Sequence, residues 1–262
     1  MPSSHVQIPM TDGAADAFVT YPDGDGPHPA VLLYMDIFGV RSVLEAMARE
    51  LAEHGYYVLV PNLFYRHGPA PVVELPELID SESRPALVEK LMPLLAEHTA
   101  DRARADADAE DYLAFLDEQP AVGAGKVAVV GYCMGGVLAI RTAAAFPDRV
   151  SAAASFHPGK LVTDEPGSPH QLLLDVAATS DRSAGSTLAA VHIGHADGDM
   201  TPEALDELDG ALDAAGLEYT SEVYPGAVHG FTMADTTAFD AAALQRHWDR
   251  LLPLLERTIR VG

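Results

Sequence analysis

Gly131-Tyr132-Cys133-Met134-Gly135-Gly136 carries the sharpest chemical signal in the chain. It follows an apolar, strand-like run and opens a helix-like stretch of small residues. A nucleophile with glycine two residues to either side suits a tight strand-to-helix turn. The backbone of such a turn is strained, and bulky side chains at −2 and +2 would clash, so glycine stands at both places. The turn lifts the Cys133 sulfur above the strand ends. It also sets the sulfur at a helix N-terminus, whose partial positive charge favours thiolate. The Met134 backbone N–H then points to where an oxyanion would form. A cysteine taken alone is more often a buried small hydrophobe. The strand before it and the helix after it move the reading toward a reactive thiol.

A thiol nucleophile of this kind needs a base and an orienting acid, which follow it in the order acid, then base. The stretch Val191-His192-Ile193-Gly194-His195-Ala196-Asp197 ends an expected strand. Asp197 is the expected acid, and Asp199, in the same Asp197-Gly198-Asp199 turn, is its rival. The alternating aspartates hint at a calcium loop, but the rest of that pattern is missing. Further on, Tyr224-Pro225-Gly226-Ala227-Val228-His229-Gly230-Phe231 places His229 in a glycine-flanked loop. His229 would take the Cys133 proton and later protonate the leaving group, with the acid holding its tautomer. Each residue alone has a plainer reading as a turn or loop residue. Together, in order and at the carboxyl ends of expected strands, they match where open α/β sheets build their sites.

The loop Tyr34-Met35-Asp36-Ile37-Phe38-Gly39-Val40 is the expected source of the second oxyanion N–H, assigned to Ile37. Asp36 has two readings of equal weight. It is a carboxylate that controls the protonation of the thiol, or the N-cap of the following helix. His157, in Ser155-Phe156-His157-Pro158-Gly159, is expected to line the site. His192 and His195 are spaced i, i+3 at a strand end, which does not put both on one face, and no Cys/His cluster supports a metal. The alternating 105–110 segment reads as a solvated helix face.

These residues need elements to hold them. Strand signals fall at 5–10, 15–21, 30–35, 56–61, 126–132, 150–156, 188–194 and 219–224. The third to the seventh are continuous apolar runs, which argues for strands buried on both faces in a parallel sheet covered by helices. Val40, Leu44, Met47 and Leu51 trace a helix face that stops at Gly55. Further helices are expected over 103–118, over 134–146, from Pro202 with Thr201 as N-cap, and around Leu244 to Ile259. Strand and helix alternate, so the class is α/β, with the first two strands an antiparallel hairpin at one edge. Residues 69–98 read as a loop-and-helix excursion near the site. Specificity is expected to reside there and in 160–186. Even composition argues for a single domain over 1–262.

Composition excludes several classes. Of 262 residues, 48% are apolar and 21% charged, enough to bury a large core and unlike a disordered chain. Lys and Arg number 16 against 39 Asp and Glu, a formal net charge of −23. Such a surface repels phosphate backbones and anionic lipid, so neither nucleic acid nor membrane is an expected partner. Cys133 is the one cysteine, which rules out an intramolecular disulfide. Met1-Pro2-Ser3-Ser4-His5 has no basic or apolar signal region, and the apolar run 127–140 falls short of the about 20 residues that span a bilayer. A cytoplasmic location is expected.

The chain resembles the dienelactone hydrolase family of α/β hydrolases over roughly residues 30 to 255. The resemblance rests on Asp36-Ile37-Phe38-Gly39-Val40, Val60-Pro61-Asn62-Leu63-Phe64-Tyr65-Arg66, the Cys133 hexapeptide, Gly194-His195-Ala196-Asp197 and His229-Gly230-Phe231. It implies an α/β-hydrolase fold with a mostly parallel central sheet of about eight strands, flanked by helices on both faces. It implies Cys133 as nucleophile, Asp197 as acid and His229 as base. Two positions depart from the family's chloroaromatic-pathway members. Those carry Glu where Asp36 stands, holding the resting thiol. They also carry an arginine four residues after the catalytic histidine, where this chain has Met233, and a thioether cannot pair a carboxylate. Arg84 is the candidate substitute. The implied substrate pocket is Phe38, Arg84, Tyr132, His157, Phe231 and Met233.

The expected activity is hydrolysis of a small-molecule ester, lactone or enol ester through an acyl-cysteine, with no cofactor and no metal. Amides are poor substrates for this chemistry, because their tetrahedral intermediate expels thiolate more readily than amine. The alternatives are a thioesterase or acyltransferase using the same triad, or a non-catalytic thiol-sensing protein on the same fold. The sequence is silent on oligomeric state.

Overall fold

The computed structural model describes residues 1–24, 26–165, 167–179 and 188–259, which fall into two compact units. The first comprises Met1–Gly125 with Met233–Thr237, and the second 126–232 with 238–259.

In the first unit, β1 (Ser3–Met10) and β2 (Gly13–Thr20) form the expected antiparallel hairpin, with Met10 opposite Gly13 across the turn. β2 continues antiparallel onto β4 (Tyr57–Pro61), and β4 pairs parallel with β3 (Ala30–Tyr34). The order is therefore β1-β2-β4-β3. Every residue of β3 and β4 is buried, which is why they read as unbroken apolar runs. α1 (Ser42–Glu53) turns Leu44, Met47, Ala48 and Leu51 inward and ends at His54, with Gly55 at φ 102° beyond it. α2 (Arg84–Ala100) and α3 (Arg102–Asp117) follow. The Asp101 side chain between them caps α3 by accepting from the Arg104 N–H. Residues 69–83 are irregular. They are tied down at Ile79, which bridges Thr236 and donates its N–H to the Asp235 carbonyl at 2.8 Å.

In the second unit, β5 (Val127–Tyr132), β6 (Val150–Phe156), β7 (Ala190–Ala196) and β8 (Glu218–Tyr224) lie parallel and in chain order. α4 (Met134–Ala145), α5 (Pro169–Thr179), α6 (Pro202–Ala215) and α7 (Ala241–Thr258) alternate with them. Thr201 caps α6 through the Ala204 N–H, and Pro202 is its first residue. Asp240 caps α7 through the N–H groups of Ala242 and Ala243. The register sets Tyr132 beside Phe156, Phe156 beside Gly194, and Ala196 beside Tyr224. The loops that begin at 133, 157, 197 and 225 therefore leave from one end of these strands.

All eight expected strands are present, each within two residues of its expected bounds. β7 runs two residues further than expected, so Asp197 opens the turn after it. α5 is an element the sequence pattern did not indicate. Residues 166 and 180–186 of the 160–186 segment lie outside the described residues. Among the described residues, no helix is long and apolar enough to cross a membrane.

Candidate active site

Cys133 is the N-cap of α4, with φ 55° and ψ −119°, a backbone state that costs a side-chain-bearing residue about 1–3 kcal/mol and persists only where its surroundings enforce it. The enforcement is visible. A Cβ on Gly131 would stand 1.9 Å from the Gly135 carbonyl oxygen, and one on Gly136 would stand 2.6 Å from Ser155 Oγ. Glycine at −2 is thus demanded as expected, and glycine at +3 is a second demand that the motif spacing did not announce. The Cys133 N–H donates to the Phe156 carbonyl at 3.1 Å, and its own carbonyl accepts from Gly136 at 3.0 Å. Met134 is the first residue of α4, so its N–H has no acceptor within the helix. The sulfur is half-buried.

His229 reaches this turn from the loop after β8. Its Nε2 lies 3.1 Å from Cys133 Sγ, while its Nδ1 lies 2.5 Å from Asp199 Oδ2. Burial, the largest single influence, works against an imidazolium there. Hydrogen bonding to Cys133 and its negative charge, then the same two effects of Asp199, outweigh it and push the His229 pKa up to about 9.

The two aspartates of the turn have different partners. Asp197 Oδ2 accepts from the Gly226 N–H at 2.8 Å, and the Asp197 N–H donates to the Ala227 carbonyl at 2.8 Å. Asp197 therefore staples the base of the loop that carries His229, and the carboxylate on the imidazole belongs to Asp199. The reason is the reach of the turn. Gly198, at φ 81°, turns the chain so that the second aspartate, not the first, faces the histidine.

Other expected residues of the second unit turn inward. Tyr132 has no exposure, and its hydroxyl meets His247 Nε2 at 3.0 Å. Phe231 has none either; it stacks on Tyr224 at 4.9 Å. Both pack in the core, where pocket walls were expected. His157 is fully buried at the end of β6, with its ring edge-on to His229 at 5.3 Å. His192 and His195 are buried too, and burial lowers both to about 4. Burial holds His247 well below its ordinary value as well. Among the described residues, no group of three His, Cys, Asp or Glu is placed to hold a metal ion.

Ile37, Phe38, Asp36, Arg84 and Met233 belong to the first unit. Asp36 is not a helix cap, since α1 starts at Ser42 behind Arg41. Its Oδ1 accepts from the Phe38 N–H at 3.0 Å, and its two oxygens take Arg41 Nη1 and Nη2 at 2.7 and 3.0 Å. Arg41 also pairs with Asp235 and lies 5.6 Å over the Phe38 ring. Asp36 is thus one arm of a buried Asp36–Arg41–Asp235 bridge, which sequence reasoning missed because its partners lie 194 positions apart. Met233 is fully buried and Arg84 is the half-exposed first residue of α2. A cavity of about 510 Å³ in this unit is walled by Arg41, Asp235 and residues 70–77 of the irregular segment.

The family model for the dienelactone hydrolase family matches residues 15–259. The carboxymethylenebutenolidase of Rhodococcus opacus is 29% identical over 269 residues, covering 99% of this chain and 94% of that protein. Among solved structures, one named m3DLH aligns with a TM-score of 0.76 at 22% identity over 99% of each chain. The dienelactone hydrolase-like promiscuous phosphotriesterase P91, from metagenomic libraries, aligns with a TM-score of 0.72, also at 22% identity and over 99% of each chain. At that identity the structures speak to the fold, which is the α/β-hydrolase fold. The chain belongs to the dienelactone hydrolase family, hydrolases that act on ester bonds.

Proposed function

We propose that the chain hydrolyses a small ester, lactone or enol ester through an acyl-cysteine on Cys133, with His229 as the proton carrier and Asp199 as the acid that orients it. One observation carries the reading: the His229 ring lies between sulfur and carboxylate, Nε2 on Cys133 and Nδ1 on Asp199. The thiolate attacks the acyl carbon, and the Met134 N–H at the helix start faces the oxyanion. His229 gives its proton to the departing alkoxide as the C–O bond breaks. Acylation removes the negative charge from sulfur, and with it the main influence that raises the His229 pKa. The imidazole, having given up its proton, then stays neutral with its lone pair free and takes a proton from water, which attacks the thioester. The thiolate leaves as His229 is reprotonated. The oxygens of Asp36 are engaged by Arg41.

The test is a substrate panel of an aryl acetate, a short acyl thioester, an unsaturated lactone, a dienelactone carboxylate and an anilide. Wild type runs beside Cys133→Ala. The reading expects ester or lactone turnover that disappears in the variant, with anilide cleavage far slower. Turnover that survives Cys133→Ala overturns the nucleophile, and faster anilide than ester cleavage overturns the mechanism. Thioester turnover ahead of every oxygen ester moves the assignment to a thioesterase.

A further inference from the structure

We propose that His157 is a positioning residue for His229, a fixed wall that keeps the imidazole turned toward the Cys133 sulfur. The inference rests on the Cys133–His229–Asp199 reading above and adds a fourth side chain to it.

His157 directly follows β6, and its backbone is left-handed, φ 37°, without being glycine. Its N–H donates to the Gly194 carbonyl at 2.7 Å, and its side chain has no solvent exposure. A strained backbone and a fully buried polar ring at one residue are a costly combination, so the surroundings must specify this side chain. They do so from the segment that carries the base. His157 Nε2 meets Thr232 Oγ1 at 2.7 Å, three residues beyond His229. The ring meets Phe231 edge-on at 5.0 Å and 77°, and His229 edge-on at 5.3 Å and 65°. The Tyr132 ring lies against it at 6.0 Å. The Thr232 hydrogen bond sets the tilt of the His157 ring, and the ring in turn occupies the space into which His229 would swing.

The physical consequence is on geometry. His229 makes two directional bonds, to Cys133 and to Asp199, and is about a third exposed. Without a wall, rotation of the ring trades the Cys133 contact for solvent. A misplacement of about 1 Å at a reacting group costs up to about a hundredfold in rate. Truncation of His157 therefore lowers the fraction of molecules in the reactive pose and leaves the affinity for substrate alone.

The experiment compares His157→Ala, His157→Phe, Thr232→Val and His229→Ala in the full chain. It measures kcat and KM on an aryl ester, the pH profile of Cys133 alkylation by iodoacetamide, and the melting temperature. The inference expects His157→Ala to lower kcat about tenfold or more with KM within about twofold, the loss expected of a loosened pose. It also expects the alkylation profile to shift toward higher pH, since the imidazolium supports the thiolate less well. His157→Phe restores the wall and recovers most of kcat. Thr232→Val, which keeps the fold and frees the tilt, gives a smaller loss in the same direction and stands in if His157→Ala does not fold. An alkylation profile and kcat unchanged in both His157→Ala and Thr232→Val overturn the inference. So does a loss that tracks melting temperature and is not recovered by His157→Phe. If His229→Ala itself leaves the alkylation profile unmoved, the triad reading fails first, and the two failures are thereby separate.

Discussion

Replacing Asp199 by Asn and, separately, Asp197 by Asn distinguishes the two aspartates of one turn. Asp199 Oδ2 lies 2.5 Å from His229 Nδ1. A hydrogen bond between charged groups contributes about 1.5–3 kcal/mol, and each 1.4 kcal/mol is a tenfold change, so its loss alone costs about 10- to 150-fold in kcat/KM. Both side chains are partly exposed, 29% for His229 and 27% for Asp199, which places the bond itself toward the lower end. An asparagine amide adds a second penalty, because its N–H₂ can turn to Nδ1 and favour the wrong tautomer, which in a serine triad costs about 10⁴-fold. The expected fall for Asp199→Asn lies between these, about 10² to 10⁴. Asp197→Asn keeps an oxygen for the Gly226 N–H, so it exchanges a charged acceptor for a neutral one at about 1 kcal/mol, about fivefold. The assay is kcat/KM on an aryl ester, beside the pH profile of Cys133 alkylation. The Asp199→Asn profile loses its alkaline limb near 9 to a lower pH, since Asp199 is one of the groups that raise His229. A larger loss for Asp197→Asn than for Asp199→Asn refutes the assignment.

Three further outcomes follow from buried charge, strain and buried imidazoles. Arg41, 7% exposed between Asp36 and Asp235, is the counter-charge of both; Arg41→Ala strands them at a cost of about 3–5 kcal/mol, read by urea denaturation. Lysine, lacking the guanidinium fork, recovers only part, and a loss below 1 kcal/mol shows the bridge to be dispensable. Gly131→Ala, whose Cβ would meet the Gly135 carbonyl at 1.9 Å, abolishes turnover and lowers the melting temperature, whereas an active, stable variant contradicts the turn geometry. His192 and His195 are buried and held near 4, below their unfolded value of 6.5, so their contribution is complete above pH 6.5 and is lost as pH falls toward 4. Between pH 7 and pH 5 each costs about 2 kcal/mol at 1.36 kcal/mol per unit, partly offset by His229, whose raised pKa favours the fold on the acid side. Urea midpoints that stay flat from pH 7 to pH 5 contradict this.

Much of the molecule is legible in the chain because its information is local. Buried parallel strands leave unbroken apolar runs, and a tight strand-to-helix turn leaves glycines, so β3 to β7 and the turn at Cys133 declare themselves. His229 is legible from a glycine-flanked loop after the last strand. The proposed acid is legible only to the turn: Asp197 and Asp199 share its chemistry, and the choice between them depends on which carboxylate reaches Nδ1 across 30 positions. The Asp36–Arg41–Asp235 bridge and the contacts of His157 are equally non-local, and nothing in either segment names its partner. Tyr132 and Phe231, expected as pocket walls, are packed in the core, Tyr132 at the end of a fully buried strand and Phe231 in a turn stacked on Tyr224.

The central claim is an acyl group carried on Cys133. Rapid mixing with an aryl acetate, an acid quench and mass spectrometry of the intact chain and its peptides test it directly. The account predicts a transient mass increase of one acetyl group, confined to the peptide with Cys133, absent in Cys133→Ala and longer-lived in Asp199→Asn. Steady turnover with no acyl adduct at any time, or an adduct on another residue, contradicts it.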